Sequence, residues 1–533
     1  MDSTFACPNE LQRNLFEGLS DMFGREVPLY DKSLAVNQYC NRAVCDLLSQ
    51  IFVGFSRSQS DLLRTGRERH GAIRIGREDE FRWIARYFAC FDMEPHDFYD
   101  MTTLGKKSQP VICTAFRSRC EPENRIFASL LRPEYFGEKI AQRIVSSLES
   151  RQVISPHVQE VIERHERDGG LSLEDGNFLA SQGREQIFCW TGQAVERDLY
   201  DDLCRSGYKI AADICCFQSH HLNHLTPNSL CIDLYSLAMK WKLGERDDLV
   251  FVSESRDLLS RLARRVDRYW MMLHFPELSH QSVASYCQAK ASCDTIDEVV
   301  ADLHRALQDE SLDFSSLPHN GYKDRTEGPN EEVPILLRQD SYRALTEPIT
   351  FVDESIPYES SHTARFGEIE QRLYATTPLG RSLYDSCLAQ RVESAGSDFY
   401  DSDPFECFPQ SLEELVVRGL VYAEFEANPD ANAQISGDPF ASVGDLMRRG
   451  LLLYRGQRYE DFLPFSAAGI FASNLDQYGT ELSRDSKPSY TKGDLESILG
   501  RSIVDSQACY EDVHRRSLQR SLERLGISYS PEF

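Results

Sequence analysis

The chain has 533 residues, 41% of them hydrophobic and 27% charged, with a formal net charge of -26. So acidic a chain repels nucleic acid and anionic lipid, which need a basic footprint, and no apolar run approaches the ~20 residues that span a bilayer. Sixteen cysteines without a CxxC pair, and an N-terminus without a basic-then-apolar leader, predict reduced thiols in a cytoplasmic protein.

Length alone predicts roughly two to four domains. Residues 1–60 are expected to be helical, with two helices across 9–50 joined by the stretch from Phe23 to Tyr30. A first βαβββ module is expected at 61–135. It opens on a strand at 69–76, Arg69-His70-Gly71-Ala72-Ile73-Arg74 and onward, with β-branched Ile73 and Ile75. Phe81, Ile84, Phe88 and Phe91 at helical spacing predict a helix at 77–91. Short strands are expected at 97–99, 111–117 and 125–131, and a polar helical connector at 136–206.

A second strand-helix-strand-strand-strand series is expected at 207–377. Its apolar run at 210–217 leads into His220-His221-Leu222-Asn223-His224-Leu225-Thr226-Pro227. A helix at 228–241 and strands at 333–338, 349–352 and 364–372 follow. A helical insertion at 242–328 interrupts the series and ends in a polar loop around 321–329 that reads as flexible. Residues 378–533 are expected to be mainly helical and to close the site. The chain is therefore expected to be α+β, with two βαβββ modules paired into a cupped sheet around a cavity.

Side chains alternate along a strand, so His70, Ala72 and Arg74 share a face. The histidine can hold a metal, and the arginine can hold the far end of an anionic substrate, offsetting the acidic field of the chain. The same spacing also suits a plain structural pair. His224 stands at the start of the second module, and Glu368 and Glu370 stand on its last strand. Two imidazoles and a carboxylate make the facial triad of non-haem Fe(II) oxygenases, with positions open for a bidentate substrate and O2. The same donors suit Mn(II) or Zn(II). Three other readings stay open on the residues alone. His220 and His224 could form a zinc-type HHxxH pair on a helix, against which Asn223 and Pro227 argue. His224 could be a structural cap. Glu368, Glu370 and Arg372 could be a surface salt-bridge row.

Four stretches carry a resemblance: Arg69 to Arg74, Asn223-His224-Leu225-Thr226-Pro227, His362 to Arg372, and Asp461-Phe462-Leu463-Pro464 with Ser466 to Phe471. Together they resemble the 2-oxoadipate dioxygenase/decarboxylase family, also called 2-hydroxyglutarate synthases. The resemblance runs from about Arg25 to the C-terminus, apart from 242–328. It implies a fold similar to the vicinal oxygen chelate enzymes. It also implies oxidation of 2-oxoadipate by O2 on Fe(II), giving 2-hydroxyglutarate and CO2 in lysine degradation, with no separate 2-oxoglutarate. It implies His70, His224 and Glu368 as metal ligands and Arg74 as the grip on a substrate carboxylate. Phe465 and Ser466 would line the pocket, and Glu370 would support the site or be structural. Phe465 departs from the small aliphatic residue usual in the family, which leaves the exact 2-oxo acid open, and simpler members lack the insertion. The expected partners are a small 2-oxo dicarboxylic acid and O2, with no nucleic acid or membrane. The alternatives are another metal-dependent enzyme of the same fold, such as a Zn(II) or Mn(II) isomerase or hydrolase, and a binding protein that retains the fold without turnover.

Overall fold

The computed structural model describes residues 5–57, 68–103, 108–149, 151–287, 295–323, 326–394, 403–429, 442–463 and 488–527. It is a mixed α+β structure with several small sheets and many helices. Its strands are β1 (Arg69–Ile75), β2 (Glu94–Asp100), β3 (Val111–Arg117), β4 (Asn124–Leu131), β5 (Gln193–Ala194) and β6 (His224–Pro227). They continue with β7 (Leu337–Ser341), β8 (Thr346–Phe351), β9 (Tyr358–Thr363), β10 (Glu368–Arg372), β11 (Ala423–Ala427) and β12 (Leu452–Gly456).

Residues 69–131 run strand, helix, strand, strand, strand: β1, the helix Glu78–Ala89, then β2, β3 and β4. These strands order as β2-β3-β4-β1, with β1 parallel to β4 and the other neighbours antiparallel. The alternation of β1 splits the core in two. Ile73 and Ile75 pack with Phe81, Ile84 and Phe88 of the helix Glu78–Ala89 on one side. Ala72 joins Ala115, Phe127 and Phe462 on the other. His70 and Arg74, which alternate with Ile73 and Ile75, therefore stand on the Ala72 side.

β6 pairs antiparallel with β1, with Ala72 opposite His224 and His70 opposite Thr226. Gly71 permits this seam: a Cβ there would lie 3.1 Å from the His224 carbonyl oxygen and 3.1 Å from Ile126 Cδ1. Beyond β6 the second module repeats the order of the first. A parallel bridge, Asn228 to Glu370, joins the end of β6 to β10, β10 runs antiparallel to β7, and antiparallel bridges join Tyr322 to Tyr342 and Glu327 to Gln339. The outer strand of the first module is thus reduced here to two bridges.

Several expectations are corrected. The apolar run at 210–217 is mostly helix, Lys209–Cys216, and the strand is confined to His224–Pro227. The run contains two alanines, and seven of its helical residues, Ile210 to Cys216, are buried, so its uniform hydrophobicity reflects burial on all sides and not a strand. The strand read at 333–338 begins only at Leu337, and β9 was not expected. β8 and β9 leave the second module as a hairpin and pair with β5. The polar loop at 321–329 carries buried Tyr322 and Lys323 against β7, because the main chain there completes the module edge.

The stretch read as an insertion is part of the main core. Phe251, Leu259 and Leu262 of the helix Asp248–Arg265, and Val299, Val300 and Leu303 of Ile296–Leu307, pack in one cluster with Val44, Leu47 and Leu48 of the N-terminal helix Pro28–Ile51. No described helix is long and apolar enough to cross a membrane.

Candidate metal centre

His70 from β1, His224 from β6 and Glu368 from β10 meet where the two modules join. One donor atom from each lies within 4.8 Å of the others, and all three residues are buried. Glu368 Oε2 is 3.3 Å from His70 Nε2 and 3.5 Å from His224 Nε2. The two imidazole rings stand edge to face, with centroids 5.5 Å apart. Thr226, opposite His70 in the ladder, donates its hydroxyl to Glu368 Oε2 at 3.1 Å. Phe462 packs edge-on to His70 and Phe366 stacks on His224.

The residues fit a divalent metal. Neither ring nitrogen of His224 has a hydrogen-bond partner among the described residues, although the side chain is buried. An imidazole left so is costly unless its lone pair is used. Burial holds the His224 pKa down at about 3, with His70 and Arg74 adding to the effect, so the ring is neutral and able to ligate. Burial alone would raise the Glu368 pKa, but His224 and His70 outweigh it and keep the carboxylate ionised. Two neutral imidazoles and one carboxylate are the donor set that suits Fe(II), Mn(II) or Zn(II).

Glu370, one strand period from Glu368, faces the other edge of His70, with Oε2 2.8 Å from Nδ1. Burial pulls the His70 pKa down, and Glu370 and Glu368 outweigh it to give a net rise. Glu370 is held by Arg372, whose Nε donates at 2.6 Å. Arg125, opposite His70 on β4, pairs with Glu68 at 2.7 Å and with Glu460, and Arg458 pairs with Glu68 at 2.7 Å. Three carboxylates and three guanidiniums so balance one another beneath the imidazole.

The expected side chains fall as follows. His70, His224 and Glu368 come together. Arg74 stands on the same face of β1, but its guanidinium already pairs with Asp213, with Nη1 2.6 Å from Oδ2. Phe465 and Ser466 lie outside the described residues. The zinc-type pair does not form: residues 220–223 are not helical, and His220 faces Glu80 at 4.0 Å. The surface salt-bridge row is also set aside, because Glu368, Glu370 and Arg372 are 3%, 0% and 0% exposed. Glu68, Arg125, Arg458 and Asp213 were not foreseen. Only Arg125 had a local signal, as the residue that strand pairing sets beside His70.

Known proteins resemble this chain over nearly its whole length. The family described as 2-oxoadipate dioxygenase/decarboxylase matches residues 15–253 and 290–474, and so takes in both edges of the stretch read as an insertion. A 2-oxoadipate dioxygenase/decarboxylase from Pseudomonas putida is 30% identical, covering 98% of each chain. One from Escherichia coli is 29% identical, covering 96% of this chain and 98% of its own. The crystal structure of the Pseudomonas putida hydroxyglutarate synthase in complex with 2-oxoadipate aligns with TM-score 0.67 and 28% identity, over 98% of this chain and all of that one. The chain is a member of the 2-oxoadipate dioxygenase/decarboxylase family.

Proposed function

We propose that this protein is an Fe(II)-dependent dioxygenase that converts 2-oxoadipate and O2 to 2-hydroxyglutarate and CO2, a step of lysine degradation. The observation that carries the reading is the convergence of His70, His224 and Glu368 at the seam of two modules. The repeated strand order supports a fold of the vicinal oxygen chelate type. One O2 supplies both oxygens needed, so the reaction balances with no added reductant. The described cysteines form no disulfide with one another, which suits the cytoplasm.

Fe(II) bound by the triad supplies the Lewis acidity and the redox chemistry that a 2-oxo acid and O2 require. The chain does the rest. The Glu370 carboxylate, 2.8 Å from His70 Nδ1, favours the proton on that nitrogen and so leaves Nε2 to ligate, while Arg372 fixes Glu370. Phe462, Phe127 and Ala72 present an apolar wall that keeps water away. Arg74, on the same face as His70, receives the carboxylate at the far end of the substrate. Phe465 and Ser466 enter this proposal on the family resemblance alone.

The test is to load the apoprotein with Fe(II) under anaerobic conditions, add 2-oxoadipate and air, and identify the products. Formation of 2-hydroxyglutarate and CO2 supports the reading. Turnover of a different 2-oxo acid alone would move the substrate and keep the chemistry. Activity with Zn(II) and no O2 uptake would favour an isomerase or hydrolase of the same fold.

A further inference from the structure

Asp213 is a buried carboxylate with four donors and no place in the chemistry above. It lies on the helix Lys209–Cys216 and is 1% exposed. Its Oδ2 takes Arg74 Nη1 at 2.6 Å and Asn223 Nδ2 at 3.1 Å. Its Oδ1 lies 3.1 Å from His221 Nε2 and 3.0 Å from His362 Nε2. His362 is held in turn by the Tyr200 hydroxyl, 2.8 Å from its Nδ1. Trp190 and Phe217 pack on the two imidazoles and keep the cluster dry. A carboxylate has about four acceptor positions, and here all are used, so Asp213 cannot rotate without losing a buried hydrogen bond.

Two of these side chains, Asn223 and His362, belong to the stretches that mark the family resemblance, and neither is among the three residues of the candidate metal centre. They converge on the one carboxylate that holds Arg74. Arg74 itself stands on the metal-centre face of β1, two residues beyond Ala72, which pairs with His224 across the seam.

We infer that Asp213 is a positioning residue. Clamped by His221, His362 and Asn223, it fixes one end of the Arg74 guanidinium and so aims the remaining N–H groups along the face that carries His70 and His224. A planar fork tethered at one nitrogen presents its free edge in a single orientation, which is what recognition of a second carboxylate requires. Asp213 thereby sets the preference for a dicarboxylic over a monocarboxylic 2-oxo acid. This inference rests on the role proposed for Arg74.

The experiment compares 2-oxoadipate with 2-oxohexanoate, which has a methyl group in place of the far carboxylate. Asp213→Asn keeps the size and removes the charge. Asp213→Glu keeps the charge and displaces it, and serves if the first variant folds poorly, as judged by thermal melting and iron content. Either variant should lose about tenfold or more in kcat/KM on 2-oxoadipate, mainly through KM. Turnover of 2-oxohexanoate should stay within about twofold. In an Arg74→Ala background Asp213→Asn should add no further selective loss. Equal losses on both acids, or selective losses that add to that of Arg74→Ala, would overturn the positioning role while leaving the oxidation standing. The same comparison read as binding, adipate against hexanoate by calorimetry, needs no turnover. Unchanged selectivity for adipate in both Asp213 variants would overturn the inference whatever reaction the protein catalyses.

Discussion

Glu370 Oε2 stands 2.8 Å from His70 Nδ1, on the opposite edge of the ring from Glu368. Two carboxylates from one strand thus hold one imidazole. Strand alternation puts both on the same face, and the ladder with β7 keeps them in register. Their surroundings separate their roles. Glu368 shares its oxygen with both histidines and Thr226. Glu370 is tied to Arg372 and Arg125.

The two glutamates should therefore behave differently. Glu368→Ala is expected to abolish metal binding and turnover. Glu370→Gln is expected to lower metal affinity or activity about 10–100-fold, the usual effect of losing the group that orients a metal-bound histidine. Metal titration of both variants checks this, and the reverse ranking would exchange their assignments.

His70→Ala and His224→Ala are expected to lose iron and keep the fold. Among the described residues His224 has no hydrogen-bond partner to lose, so its removal should cost little beyond packing. Full iron occupancy in either variant, measured by elemental analysis, contradicts the triad.

Arg74→Lys is expected to weaken use of the dicarboxylate by about 1.5–3 kcal/mol, the scale of one charged hydrogen bond. A lysine offers a point charge where the arginine can bond Asp213 and a substrate at once. Steady-state kinetics on 2-oxoadipate reads the loss, and unchanged kinetics would place the far carboxylate elsewhere.

Asp461 should tie stability to pH. It accepts from Arg117 Nε at 2.8 Å and from Ser506 at 2.9 Å, joining β3 to the C-terminal helix Ser506–Arg524. Burial pushes its pKa up, but Arg117, Tyr510 and His96 bring the net value below the ordinary 3.8. A depressed carboxylate stabilises the fold above its unfolded pKa, and the contribution fades as pH falls through the folded value. Asp461→Asn should be about 3–5 kcal/mol less stable at neutral pH, as for breaking a buried pair. Denaturant melts should show this difference shrinking below pH 3.8. A gap that does not change with pH would show that the charge contributes nothing.

The stretch at 242–328, read from sequence as an insertion, is expected to be required for folding. Replacing Asp248 to Leu307 with a linker would expose Val44, Leu47 and Leu48, which those helices cover. A cooperative melt from such a deletion would contradict this.

Much of the first module was legible in the sequence, because its strands β3 and β4 are short, largely apolar runs and its helix carries large apolar side chains at regular spacing. The second was legible only in part, since the run at 210–217 is mostly helix and the strand read at 349–352 belongs to another sheet. Its outer strand consists of two bridges, and its first strand is short and preceded by a fully buried helix, so hydrophobicity there has no period to read. Of the candidate site, His70, His224 and Glu368 could be picked out because each sits on a β-strand in a recognisable stretch. Asp213, Glu68 and Arg458 were invisible: Asp213 meets Arg74, and Glu68 meets Arg458, from far along the chain, and buried ion pairs of that kind leave no local pattern.

The central claim is that these three side chains hold an iron that oxidises 2-oxoadipate. The most direct measurement is anaerobic Fe(II) loading followed by O2 uptake, with CO2 and 2-hydroxyglutarate quantified in the same vessel. The account predicts one iron per chain and equal amounts of O2 consumed, CO2 released and 2-hydroxyglutarate formed, all lost in His224→Ala. Iron-loaded protein that leaves 2-oxoadipate and O2 unconsumed, or turnover that persists in His224→Ala, would contradict it.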